Sequence, residues 1–170
     1  RAAALLRGDF QLHLRGSAPP SVHERVLALA AAGGFRERCF LHPQVEPEEL
    51  FERTAEHDVG LALERREPLN RDLCITNKIL CYPMAGLAVA VTRTRGQTWV
   101  MEQAPGMGFL YAPGDVAALA RNVQAWMDDP SALREARRAA RQAAEEHFCW
   151  ERQVPVFLGC VERALSQSSS

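Results

Sequence analysis

A single lysine stands against nineteen arginines in this 170-residue chain, in the stretch Thr76-Asn77-Lys78-Ile79-Leu80. Where arginine carries almost all the positive charge, a retained lysine marks a place for a compact ammonium on a flexible stem. Such a group reaches into a phosphate where a wide planar guanidinium does not fit. Lys78 follows a polar loop containing Asn70 and Arg71 and falls in the first turn of an expected helix. There, backbone N–H groups and the helix dipole already attract anions. The competing reading is a lysine retained by chance on an exposed face.

Short apolar runs alternate with amphipathic segments, and these must position the lysine. Strands are expected over Phe10–Leu14, ending at Gly16, and over Arg38–Leu41, Val59–Leu63, Leu87–Val91 and Gly108–Tyr111. Helical spacing follows Ser21 (Val22, Val26, Leu29), starts at Pro47 (Leu50, Phe51, Thr54), carries Lys78, and ends near Ala85-Gly86. Further helices are expected over Gln97–Ala104, after an Asp115 cap, from Ser131, and around Trp150, Val154 and Phe157. Glu64 to Cys74 reads as a long polar loop. Apolar strands alternating with helices predict an α/β, doubly wound, Rossmann-like parallel sheet covered on both faces. Ligands of such sheets bind at the carboxyl ends of strands, which directs attention to the loops after Gly16, Leu41, Leu63, Val91 and Tyr111.

Composition narrows the function. A net charge of -1 argues against a nucleic-acid partner. Five cysteines without a CxxC pair read as reduced thiols of a cytoplasmic protein, and Cys74, Cys81 and the distant His57 as no zinc site. No apolar run reaches bilayer length and no signal peptide is visible. There is no GxGxxG, no P-loop and no internal repeat, so a dinucleotide oxidoreductase or an NTPase is poorly supported. The chain opens on Arg1 and Ala2-Ala3-Ala4-Leu5-Leu6, which reads as the middle or end of a helix in a longer protein. Ser168-Ser169-Ser170 reads as an unpacked terminus.

Several segments, in order, resemble the C-terminal, donor-binding half of a GT-B glycosyltransferase of the family-4 type. They are Val45–Leu50 followed by Asp58–Leu61, then Asn77-Lys78-Ile79-Leu80-Cys81-Tyr82-Pro83-Met84-Ala85-Gly86-Leu87-Ala88-Val89. Thr92–Gln97, Gly108–Tyr111 with Gly114-Asp115 and Leu119-Ala120, and Phe148-Cys149-Trp150-Glu151 complete the match. The resemblance covers about residues 10–165. It implies a donor-binding domain over 1–165 that lacks its first, central strand, with residues 166–170 a disordered tail. Members usually carry two glutamates eight positions apart around the lysine helix, the second holding ribose hydroxyls. Leu73 and Cys81 occupy those positions here. A thiol is a weak acceptor and leucine none.

The resemblance also implies roles. A nucleotide-sugar donor loses a nucleoside diphosphate, whose charge falls to a helix N-terminus and fixed cations, with no metal and no cofactor expected. Lys78 suits that task, with Arg71 as second cation or as a solvated loop residue. Asn70 and Asn77 orient phosphate or sugar oxygens, or serve as turn and cap. Glu64 and Glu67 accept from sugar hydroxyls, or belong to a charged loop Glu64-Arg65-Arg66-Glu67 that pairs locally. Thr94, Gly96 and Gln97 form a turn offering close backbone approach. His42 and Val45 follow the second strand, where the nucleotide base meets backbone atoms in such folds, or His42 is a satisfied loop histidine; His13 reads as structural. The general base and the acceptor site are expected in an N-terminal partner domain of the same enzyme. Arg134, Arg137, Arg138 and Arg141 share a helix face, either solvated or leaning weakly on an acidic membrane surface. Trp99, Trp126 and Trp150 read as core or interface rather than as sugar-stacking platforms. The implied function is sugar transfer, hexosyltransferase in type, for envelope or polysaccharide synthesis, in the cytoplasm or at the inner membrane face. The rival is a degenerate, non-catalytic Rossmann-like scaffold.

Overall fold

The structure is a computed structural model, described over residues 1–167. Five strands form: β1 Leu12–Arg15, β2 Cys39–His42, β3 Val59–Ala62, β4 Ala88–Thr92 and β5 Gly108–Tyr111. Every pairing is parallel, and β3 and β4 are the unbroken apolar runs that go with a sheet covered on both faces. Helices α1 Pro20–Ala32, α2 Pro47–Ala55, α3 Leu69–Leu73, α4 Asn77–Met84 and α5 Arg95–Gln103 alternate with them. Three more follow: α6 Val116–Asp128, α7 Pro130–Ala143 and α8 Trp150–Gln167.

The expected single sheet is in fact two. β1 pairs with β2, and β3-β4-β5 form a separate three-stranded sheet. The hydrophobic core divides in the same way. Ile79, Val89, Val91, Val100 and Met107 pack in the larger half, and Ala30, Phe35 and Cys39 in the smaller. β1 and β3 are each paired on one edge only. A two-stranded sheet is marginal by itself, and β1–β2 is held by α1 and the 3₁₀ turn Arg36–Arg38 packed beside it.

The element carrying Lys78 is built tightly into the larger half. Ile79 is fully buried from α4, a contribution of about 1.5–3 kcal/mol. A Cβ on Gly60 would overlap the Tyr82 ring, so β3 admits α4 only because position 60 is glycine. α4 ends in a Schellman motif: Leu87 N–H donates to Tyr82 O at 3.0 Å and Gly86 N–H to Pro83 O at 2.9 Å. Gly86 stands at φ +75°, the left-handed conformation this cap requires. Pro83 lies one residue before the helix end, where it removes the N–H that would otherwise bond the carbonyl of Ile79. α7 covers β4 with Ala136, Ala140 and Ala143, small residues that allow close approach.

Several expectations change. The loop from Glu64 to Cys74 contains α3, which places Asn70 and Arg71 in a short helix. The N-terminal alanines form a 3₁₀ turn, Ala2–Leu5, rather than the end of an α-helix. Asp115 caps α6 as expected, accepting from Ala118 N–H at 2.8 Å, whereas Asp129 rather than Ser131 caps α7. Of the expected tail 166–170, Ser166 and Gln167 belong to α8, and 168–170 lie outside the described residues. Arg137 and Arg141 are engaged within the chain. Arg137 donates to Gly86 O at 2.9 Å and to Asp58 at 2.6 Å, and Arg141 to Met84 O at 2.8 Å and Glu145 at 2.6 Å. Both thereby close the end of α4. No described helix is long and apolar enough to cross a membrane.

Candidate functional site

The site grows from the carboxyl ends of β3 and β4. Thr92, the last residue of β4, is a hydroxyl at the end of a wholly buried strand, and burial obliges it to find partners. It donates to Ala62 O at 3.3 Å and accepts from Glu64 N–H at 2.8 Å and Gln97 Nε2 at 2.9 Å. This node ties the chain leaving β3 to β4 and α5, and so sets where the Glu64 side chain goes.

Glu64 is only 6% exposed, and its carboxylate gathers both candidate cations. Lys78 Nζ donates to Oε1 at 2.8 Å and Arg71 Nη1 to Oε2 at 3.3 Å. The hydrogen bond from Lys78 holds the carboxyl below the usual glutamate range; burial opposes it, and the charges of Lys78 and Arg71 reinforce it. Lys78 and Arg71 themselves remain 52% and 58% exposed at their side chains. The result is two accessible cations anchored on one buried anion at the N-terminus of α4.

Other predicted residues fall differently. Thr76, not Asn77, is the N-cap of α4, and its Oγ1 is buried without a partner among the described residues. Asn77 opens the helix, exposed; Asn70 is exposed on α3, and Glu67 on the loop before it. Glu64 does not pair with Arg65 or Arg66, so the local charged-loop alternative does not form. Thr94 and Gln97 are buried at 1% and 0%. Thr94 accepts from Gln97 N–H as the cap of α5, and Gln97 Nε2 also donates to Thr92 O at 3.0 Å. Gly96 does allow a close approach, but to this chain: a Cβ there would meet Leu73 O at 2.5 Å and Cys74 O at 2.6 Å. Gly96 thus holds α5 against α3, Gln97 ties α5 to β4, and Thr94 caps α5 at the edge of a cleft between α5 and the loop after β3.

His42 and Val45 lie at the other sheet. Val45 lines a cleft of about 220 Å³ with Arg15, Gly16, Gln44, Pro47 and Leu50. His42 Nε2 is 2.9 Å from His13 Nδ1, their rings stacked at 5.1 Å, and His57 meets His13 at 4.7 Å. Burial first, then the charges of His57 and His42, keeps His13 below the ordinary histidine range. Among the described residues no three or more His, Cys, Asp or Glu side chains are placed to hold a metal.

Sequence reasoning missed Thr92 and Asp72. Asp72, 7% exposed, accepts from Arg95 N–H at 3.1 Å and Arg95 Nε at 2.6 Å, the bond that chiefly lowers its pKa. Its signal was faint: one acid inside a polar stretch otherwise read as loop. Trp99 and Trp150, expected in core or interface, are 55% and 64% exposed, while Trp126 packs on Phe109 at 4.8 Å. Leu73 and Cys81, where glutamates are expected, are both exposed.

This arrangement of parallel strands and covering helices is a Rossmann-like fold of the kind seen in GT-B glycosyltransferases. The chain is similar over 98% of its length to 41% of sucrose-phosphate synthase from Thermosynechococcus elongatus, at 22% identity and a TM-score of 0.80. It matches HepE of Anabaena in complex with UDP over 98% of this chain and 43% of that one, at 20% identity and a TM-score of 0.74. For WaaG, a glycosyltransferase involved in lipopolysaccharide biosynthesis, 85% of this chain matches 37% of that one, at 21% identity and a TM-score of 0.67. The chain thus spans about two fifths of the length of the solved structures it matches. No family profile matches the sequence, and no curated protein matches it significantly.

Proposed function

We propose that this chain is the donor-binding half of a nucleotide-sugar-dependent glycosyltransferase, with Lys78 and the N-terminus of α4 holding the donor diphosphate. The carrying observation is the ammonium of Lys78, anchored 2.8 Å from buried Glu64 yet half exposed. A cation held in place before the ligand arrives loses little freedom on binding, which favours a leaving diphosphate. Arg71 is the second cation, Asn70 and Asn77 the neighbouring amides, and the Val45–His42 end of β2 the base side of the site. Charge neutralisation in this scheme falls to the protein without a metal or a cofactor. HepE, a structure of the same fold, was solved with UDP, which supports a nucleoside diphosphate as the ligand class.

The single-edge pairing of β1 and β3 supports the further reading that a central strand belongs between them. The partner we propose is an N-terminal domain supplying the acceptor site and the general base. α8 supports it, since Val156, Phe157, Leu158 and Leu165 are all at least half exposed. Transfer to a polysaccharide or envelope acceptor, hexosyl in type and in the cytoplasm or at its membrane face, completes the proposal. The isolated fragment, without that partner, is expected to be inactive. A scaffold without donor binding is the second reading, favoured by Leu73 and Cys81 at the glutamate positions.

Thermal shift with UDP, GDP, ADP and CMP, wild type beside Lys78→Ala, separates them. At a hundredfold excess over Kd, a bound diphosphate stabilises by about 2.7 kcal/mol, or about 5–10 °C for a domain of this size. The shift should fall sharply in Lys78→Ala. If none of the four stabilises the wild-type protein, the donor reading fails and the scaffold stands.

A further inference from the structure

We propose that the cleft between the loop after β3 and helix α5 is a second binding site, for an anionic saccharide. The cleft encloses about 420 Å³ and is lined by Arg66, Arg93, Arg95, Thr98, Trp99 and Glu102 among others. Three features assign its ligand. The first is an indole 55% exposed on a helix whose other face is buried, a flat apolar surface left to water beside a ring of cations. Isolated exposed apolar side chains are ordinary; one that forms the wall of a charged cleft offers a stacking face.

The second feature is two guanidiniums held in place by the protein itself. Arg66 donates through Nε and Nη2 to the carbonyl of Arg93 at 3.1 and 3.0 Å, and Arg95 is fixed on Asp72 at 2.6 Å. Each keeps further N–H groups unengaged, so the forks stand ready for an anion. The Arg93 guanidinium makes no hydrogen bond or ion pair among the described residues. The third is the presence of Glu102 and Thr98 in the same lining as these cations. A bare anion gains nothing from a carboxylate in the lining, whereas a polyhydroxylated one uses it and the hydroxyl as acceptors for its own O–H groups. An apolar ring face, arginines and a hydroxyl acceptor together fit a sugar bearing a phosphate or a carboxylate.

The cleft is distinct from the Lys78 cluster but shares its loop: Arg66 lies two residues beyond Glu64. The inference does not rest on the donor reading, which places the acceptor in an N-terminal partner domain. The binding chemistry stands without it.

Calorimetric titration tests the site with glucose 6-phosphate, glucuronate, glucose and inorganic phosphate. At least one anionic sugar should bind about tenfold or more tightly than either glucose or phosphate, since each of those satisfies half of the cleft. Which of the two is tighter identifies the anion. Arg93→Gln and Trp99→Ala should each weaken that sugar about tenfold, the scale of one charge-assisted hydrogen bond for the first and of one stacked aromatic face for the second. Glu102→Gln, an exposed change that leaves the fold untouched, should weaken the sugar but not phosphate. Equal binding of phosphate and the anionic sugars, or unchanged affinity in Arg93→Gln and Trp99→Ala, overturns the proposal. So does competitive displacement of the sugar by UDP, which would fold the cleft into the donor site. Lys78→Ala keeps the two readings separate: it should abolish the UDP response and leave sugar binding intact. Sugar binding with no nucleotide response in the wild type removes the donor reading and leaves this one standing.

Discussion

Glu64 changes meaning between the chain and the fold. As a residue at the mouth of an apolar strand it reads as an acceptor for a ligand; folded, it is nearly buried and already engaged by Lys78 and Arg71. Its work is to place two cations. A buried carboxylate with two donors has its pKa depressed, chiefly by the Lys78 hydrogen bond. The stability it contributes is therefore complete above the ordinary glutamate pKa of about 4.3 and is lost as pH falls through the lower folded value. Glu64→Gln should cost about 1–2 kcal/mol at pH 7, the scale of a charge-assisted hydrogen bond. In urea melts that deficit against wild type should shrink steadily below about pH 4. A deficit unchanged down to pH 3 would show that the carboxylate's charge is not what holds the cluster.

At the scale of elements, contact between β3 and α4 decides whether Lys78 is presented at all. Gly60 lies under the Tyr82 ring with no room for a methyl group, so Gly60→Ala must displace α4. Overpacking of this kind costs about 1–3 kcal/mol, and here it also moves the N-terminus carrying Lys78. Chemical denaturation should show the loss, and nucleotide affinity should fall with it. Gly86→Ala is a different case, since nothing lies within 4 Å of the added carbon and only the φ of +75° resists it. A cost near 1 kcal/mol with ligand affinity retained is expected there. Finding the two variants equally impaired in binding would show that α4 is not rigidly referred to β3. The arginines of α7 belong to the same account: Arg137 and Arg141 bond the carbonyls of Gly86 and Met84 and so close the far end of α4.

Across the whole molecule the seam between the two sheets is where pH should act. His13 on β1 stacks on His42 of β2 and meets His57 just before β3, with Glu56, Arg15 and Gln11 around it. Its folded pKa lies below the ordinary value, so between the two values the unfolded chain binds more protons and stability rises with pH. Acidification from pH 7 to 5 should lower Tm, and His13→Gln should flatten that slope. A slope identical in the variant would place the acid sensitivity elsewhere.

Much of this was legible in the residue order. Apolar runs of four or five residues bounded by Gly, Pro and charged clusters marked all five strands within a residue or two, because such a run between turn residues is a local signal. α2, α6 and the Asp115 cap were equally local. α3 was missed because five residues after Pro68 carry no helical period. The break between β1 and β3 was missed because pairing is a relation between segments, invisible in either one. At the site, the singular Lys78 was visible as a composition anomaly. Its bond to Glu64, fourteen residues away, was not. Nor was the burial of Thr94 and Gln97, which follow the same polar pattern as residues that face solvent. The sequence by itself determined which residues could carry charge and which segments had to be strand or helix, since propensity, period and capping act over a few neighbours. Only the tertiary structure decided which polar groups lie buried and bonded and which stay open to a ligand. That outcome depends on where distant backbones come together and exclude water.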